Sequence, residues 1–247
     1  MLNRVGLFVL CICCVGCNTG MINMPDNFVY VPLNAHGYDI ATWQKISDDS
    51  TPIRIYIEGD GRAFDAHGAP TRNPTPHSDV VRKMAMRDVF PNVVYIARPC
   101  QYIMSDICSV SDWTTGRFSP QIISVMSDAI GQIAENRHVI LIGYSGGAML
   151  SGLIIAQNTN LNISQWITVA GVLNHSDWSN YFGDTALSDS ANLDALPRIS
   201  QCHFVAENDN VVPYELSQKW THDNVTVIPK TRHNDLRDFV PNCANKN

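Results

Sequence analysis

Short apolar runs alternate with longer amphipathic stretches along most of this chain. Residues 53–57 (IRIYI), 92–97 (NVVYIA), 139–142 (VILI) and 165–170 (QWITVA) are rich in β-branched residues and closed by Gly, Pro or Asn. Runs this short, bounded in this way, read as buried strands. Residues 201–206 (QCHFVA) and 225–228 (VTVI) repeat the pattern. Between them, 78–88 puts Val80, Val81, Met84 and Ala85 at helical spacing. Ser119-Pro120 opens a second helix that runs to about Glu135, with Ile122, Ile123, Met126, Ile130 and Ile133 on one stripe. Pro120 falls in its first turn, where a missing N–H costs nothing. A third helix follows 139–142 and ends near Gln157; others are expected over 213–220 and 234–240. Strands alternating with helices predict an α/β class: a mostly parallel, doubly wound sheet with helices on both faces. Upstream, 28–33 and 38–46 read as hairpin partners around Asn34-Ala35-His36-Gly37. Residues 63–76, 98–118 and 172–199 show no clear period. The last is long enough for a small cap, not for a second domain.

Composition narrows this picture. A length of 247 residues suits one domain with a sizeable core. With 45% apolar and 16% charged residues the chain is not a disordered one. A net charge of -6 without any basic run argues against nucleic acid as a partner. The first residues stand apart: Met1-Leu2-Asn3-Arg4 is positive, and 5–15 is apolar but too short to span a bilayer as a mature helix. Cys14-Val15-Gly16-Cys17 resembles a bacterial lipobox, with Cys17 as the residue to be lipidated. Cys14 departs from the aliphatic residue usual there, so plain secretion with cleavage near Gly16 or Gly20 stands as the alternative. The expected organisation is a leader over 1–17, a tether over 18–27 and one domain over 28–247, exported to the periplasm or cell envelope. A lipid on Cys17 would make the membrane a partner.

Four of the eight cysteines lie in the leader, leaving Cys100, Cys108, Cys202 and Cys243. An even number in an exported domain suggests two disulfides, with three connectivities open. Cys100 with Cys108 is the local choice, which leaves Cys202 with Cys243. None has metal-ligand spacing, and no metal or organic cofactor is expected.

The candidate chemistry centres on Gly143-Tyr144-Ser145-Gly146-Gly147, between the strand at 139–142 and a helix. A sharp strand-to-helix turn needs neighbours without Cβ, and it pushes the Ser145 hydroxyl into a cleft in front of a helix N-terminus. A serine nucleophile needs a base and a carboxylate to orient that base, on loops past the C-terminal ends of later strands. Asp209 lies just past the strand at 201–206, and Glu207 is the second choice. Only His222 and His233 follow Asp209, and His233 alone follows the last strand. Two backbone donors would face a developing oxyanion: Gly146, and Asp60 or else Gly61 in the loop after 53–57. The Asp60 carboxylate would repel that charge, so it is expected to point away, toward Arg62 or into turn hydrogen bonds. Trp113, Trp178, Tyr181 and Phe182 lie in the irregular stretches and are candidates to line a pocket.

On Ile57–Gly61 (IEGDG), Ala97–Tyr102 (ARPCQY), Gly143–Gly147 (GYSGG) and Asp209–Pro213 (DNVVP), the chain resembles the α/β-hydrolase superfamily, and within it exported bacterial hydrolases. The resemblance runs from about Arg54 to Val240. It implies an α/β-hydrolase fold with a small cap or none, Ser145 as nucleophile, Asp209 as acid and His233 as base. The expected activity is hydrolysis of a carboxylic ester or thioester, with a small acyl compound as substrate. A peptidase or acyltransferase using the same triad is the alternative. A non-catalytic exported binding or scaffold protein is the reading of another class.

Overall fold

The computed structural model describes residues 24–157, 160–222 and 224–245. The leader and Cys17 lie outside the described residues. The described chain forms an eight-stranded sheet, a two-stranded ribbon and five α-helices. Its strands are β1 (Val29–Tyr30), β2 (Leu33–Ala35), β3 (Tyr38–Ile40), β4 (Thr42–Lys45), β5 (Ile53–Ile57), β6 (Val93–Ile96), β7 (Val139–Tyr144), β8 (Ile163–Val169), β9 (Gln201–Ala206) and β10 (Val225–Ile228). The helices are α1 (Val80–Arg87), α2 (Pro120–Ala134), α3 (Gly146–Ala156), α4 (His175–Phe182) and α5 (Tyr214–Thr221).

The large sheet runs β1-β4-β6-β5-β7-β8-β9-β10, parallel from β6 to β10 and antiparallel at the β1-β4-β6 edge. Strand order reverses between β5 and β7: the chain leaves β5 toward β6 on one side and returns to β7 on the other. Loops that diverge from such a switch point open a crevice at the C-terminal strand ends. The turns after β5 and β7 are the ones that carry Asp60 and Ser145.

Alternation along the strands sends side chains into two cores. Ile53, Ile55 and Ile57 of β5 join Leu141, Ile122, Met126, Leu150 and Ile154 on the α2–α3 face. Tyr56, Tyr95, Ile142 and Phe204 pack with Val80, Met84 and Leu236 on the α1 face. Both faces are covered, which is why these strands read as near-continuous apolar runs.

The predicted hairpin is divided between two sheets. β2 pairs with β3 across His36-Gly37, both at positive φ, as a two-residue turn requires. The chain then changes sheet at Ala41, and β4 pairs with β1 and β6. The helix expected over 234–240 is instead a 3-10 turn, His233–Asp238. The stretch 172–199 contains α4, which has a full set of end signals. The Asn174 side chain accepts from the Asp177 N–H at 2.9 Å, and Gly183 ends the helix at φ 70°.

Two disulfides join Cys100 to Cys108 and Cys202 to Cys243. The second ties β9 to the C-terminal segment that follows His233. Arg54, buried in β5, donates to the Pro241 carbonyl and pairs with Asp88 at 3.0 Å, holding the same segment from the sheet side.

Candidate active site

Ser145 sits between β7 and α3 at φ 51°, ψ -123°, a conformation that costs a non-glycine residue about 1–3 kcal/mol. Its backbone is held on both sides. The N–H donates to Val169 at 3.1 Å, and the carbonyl accepts from the Ala148 and Val172 N–H groups, each at 3.1 Å. Gly147 is required by close approach, since a Cβ there would lie 2.5 Å from the Ile57 carbonyl. The N-terminus of α3 is thereby pressed onto the loop that leaves β5.

Asp209, past β9, and His233, past β10, meet at the same end of the sheet. His233 Nδ1 and Asp209 Oδ2 are 2.8 Å apart, with both side chains buried. The other oxygen, Oδ1, accepts from the N–H groups of Val211 at 2.9 Å and Val212 at 2.8 Å, which fixes the carboxylate plane. Tyr144 packs its ring 4.9 Å from that of His233 and donates its hydroxyl to the His233 carbonyl at 2.9 Å. Burial, helped by Glu58 and Asp209, pushes the Tyr144 phenol up, so it stays a donor. Glu207, the second choice for the acid, is exposed and accepts from the Lys230 N–H at 2.7 Å. Ser145 and His233 line one cavity, with no hydrogen bond between them among the described residues.

The loop after β5 is braced by residues to which sequence reasoning gave no role. The Gly59 N–H donates to Glu58 Oε1 at 2.9 Å, and the Gly59 carbonyl accepts from Gln101 Nε2 at 3.0 Å. A trans peptide sets C=O and N–H in opposite directions, so Gln101 turns the Asp60 N–H away from itself. The Asp60 side chain does not reach Arg62, whose guanidinium lies 3.1 Å from His77. It bridges Arg98 and Arg117, two buried arginines, the latter at 3.0 Å. Nor does it point away from the Ser145 turn: a Cβ on Gly146 would fall 2.0 Å from Asp60 Oδ1. Two guanidinium groups and the α3 N-terminus neutralise the carboxylate there. Gly61 follows at φ 65°, where a Cβ would lie 2.1 Å from the Pro74 carbonyl.

The irregular stretch at 98–118 thus supplies Arg98, Gln101 and Arg117, and the Cys100–Cys108 bridge staples it. The signal in sequence was a long aperiodic loop with several potential donors, but nothing in it points to Asp60. Residues Ser145, His233, Glu58, Asp60, His175 and Trp178 share a cavity of about 470 Å³. His175, at the start of α4, is stacked on Phe118 at 5.8 Å. Burial lowers its pKa, against the backbone groups of Ala191 and Ser190 that favour the charged ring. Trp178 donates to the Val211 carbonyl at 2.7 Å, latching α4 onto the Asp209 loop. Of the other pocket candidates, Trp113 is buried with its indole bonded to the Thr71 carbonyl at 3.1 Å, while Tyr181 and Phe182 face solvent. Among the described residues no three His, Cys, Asp or Glu side chains converge on a metal position.

This architecture, with a serine on the β7–α3 turn, is the α/β-hydrolase fold. No family model and no curated protein matches the sequence. Solved structures do match the fold. An α/β serine hydrolase without a lid from Xanthomonas campestris superposes with a TM-score of 0.55 at 14% identity, covering 87% of this chain and 89% of that one. Est1E from Butyrivibrio proteoclasticus gives 0.57 at 11% identity, over 83% and 90%. A bromoperoxidase from Bacillus anthracis gives 0.53 at 12% identity, over 83% and 93%. The chain has the fold of serine hydrolases, and the fold by itself does not select a substrate.

Proposed function

We propose that the protein is a serine hydrolase that cleaves a carboxylic ester or thioester through an acyl-enzyme on Ser145. The observation that carries this reading is the buried Asp209–His233 pair at 2.8 Å, whose His233 lines the same cavity as the strained Ser145 turn. In the first step His233 Nε2 takes the Ser145 proton as Oγ bonds to the acyl carbon. The Gly146 N–H and the Asp60 N–H receive the oxyanion, with Gly61 as the alternative second donor. Asp209 keeps the Nδ1 proton on His233 and stabilises the imidazolium. The tetrahedral intermediate then expels the alcohol or thiol, which takes the proton from His233. Water, deprotonated by His233, then attacks the acyl carbon, and the second tetrahedral intermediate breaks its bond to Ser145 Oγ, which takes the proton back from His233 as the acid departs. A cavity of about 470 Å³ suits a small acyl substrate.

A fluorophosphonate probe tests this directly. Wild-type protein is expected to form one adduct on Ser145, and Ser145→Ala none. No adduct on the wild type, or an adduct that survives the substitution, refutes the proposal. We further infer that the protein is exported, with a lipid on Cys17 as its anchor or, as the alternative, plain secretion. Two disulfides suit an oxidising compartment. No helix among the described residues is long and apolar enough to cross a membrane.

A further inference from the structure

Glu58 is a fully buried carboxyl group that the mechanism above does not use. It directly follows β5, lines the same cavity as Ser145, and stands one residue before the loop assigned to the oxyanion. Oε1 accepts from the Gly59 N–H at 2.9 Å, and Oε2 accepts from the Tyr95 hydroxyl at 2.7 Å. The Tyr95 oxygen is in turn 3.1 Å from that of Tyr102. On the far side of the Gly59 residue, Gln101 holds the carbonyl. The peptide unit whose N–H belongs to Asp60 is therefore gripped through Gly59 from two directions, by one neutral amide and one carboxyl group.

A neutral hydrophobic residue at 58 would fill the same space without the cost of burying a charge. A buried carboxyl directly under a loop that must aim a donor is where a stability cost points to a role in function. We infer that Glu58 is a positioning residue whose ionised carboxylate holds the Gly59–Gly61 loop in register, so that the site turns over fully only when Glu58 has lost its proton. The inference rests on the Ser145 hydrolase reading. As a carboxylate, Glu58 accepts from both donors through charge-assisted bonds. As an acid it must turn one O–H toward Tyr95, and only the remaining carbonyl-type oxygen is left for Gly59. The groups that face it are Tyr95 on β6, Tyr102 on the next loop, Tyr144 on β7, Arg82 on α1 and Arg98 beyond β6. Burial pushes its pKa up to about 7, against the hydrogen bonds from Tyr95 and Gly59 and the charges of Arg82 and Arg98. The change of state thus falls near neutral pH.

The test is the pH dependence of fluorophosphonate inactivation, resolved into kinact and KI. In the wild type, kinact is expected to fall as pH drops through about 7, where Glu58 takes up its proton. Glu58→Gln keeps an acceptor for Gly59 and cannot ionise. It is expected to lower kinact at pH 8 by about tenfold, less than the ~100-fold or more that follows loss of a whole oxyanion donor. KI should hold, and the fall in kinact near pH 7 that Glu58 causes should be lost. Tyr95→Phe provides a second route: it removes a donor to the ionised form, so the fall should move to higher pH. Wild-type rate and pH dependence in Glu58→Gln, or an unmoved fall in Tyr95→Phe, overturns the inference while leaving Ser145 labelling intact. Failure of the wild type to label at any pH overturns the hydrolase reading and this inference with it.

Discussion

Replacing Glu58 with glutamine should make the protein more stable at alkaline pH while making it a slower catalyst. The folded state holds the Glu58 proton up to about pH 7, against an ordinary value of 4.5. Between those values the unfolded chain has released a proton that the native state retains. The native state then binds more protons, and stability falls as pH rises through that window. At about 1.4 kcal/mol per pH unit, the shift from 4.5 to about 7 amounts to about 3 kcal/mol, fully present above pH 7. The glutamine side chain has no proton to lose. Its Oε1 can accept from Gly59, and its amide can donate to Tyr95, whose hydroxyl then turns to Tyr102. At pH 4.5 wild type and variant should therefore be close. By pH 8 the variant should lead by about 3 kcal/mol, a shift of about 1 M in urea midpoint for a slope near 3 kcal/mol/M. The assay is urea unfolding followed by tryptophan fluorescence, with both disulfides oxidised, from pH 4.5 to 8.5. Differencing the two proteins at each pH cancels every other ionisation. A difference that is independent of pH, or that falls as pH rises, refutes the reasoning.

The two disulfides should differ in their contribution. They close separations of 41 and 8 residues, so by loop entropy Cys202→Ser/Cys243→Ser should cost about 4 kcal/mol and Cys100→Ser/Cys108→Ser about 2.5 kcal/mol. Urea unfolding of the two double variants measures this, and a larger loss from the shorter loop contradicts it. In a bacterial host fed labelled palmitate, the full chain should take up label and Cys17→Ser should not. Label retained by the variant, or absent from the wild type, removes the lipid anchor from the proposal.

What the sequence determined by itself is local or ordered along the chain. Each sheet strand from β5 to β10 was legible, because an apolar run closed by Gly or Pro has few other ways to bury itself. The turn at Ser145 was legible because its glycines announce a close approach. Asp209 and His233 could be placed as candidates because a parallel sheet sends every strand's end to the same side. The helix α4 carries end signals in Asn174 and Gly183, but it has no apolar stripe to announce it, since the residues it buries are His175 and Ser179. Only the tertiary structure decided how the loop after β5 is held. Glu58 meets Tyr95 across β5–β6 pairing, Gln101 reaches back to Gly59, and Arg98 and Arg117 converge on Asp60. These contacts join residues far apart in sequence, and no local period records them. They follow from strand order and from a disulfide-stapled loop folding back over the sheet. The carboxylate expected to turn away from the Ser145 turn lies against it, because two arginines from that loop neutralise it there.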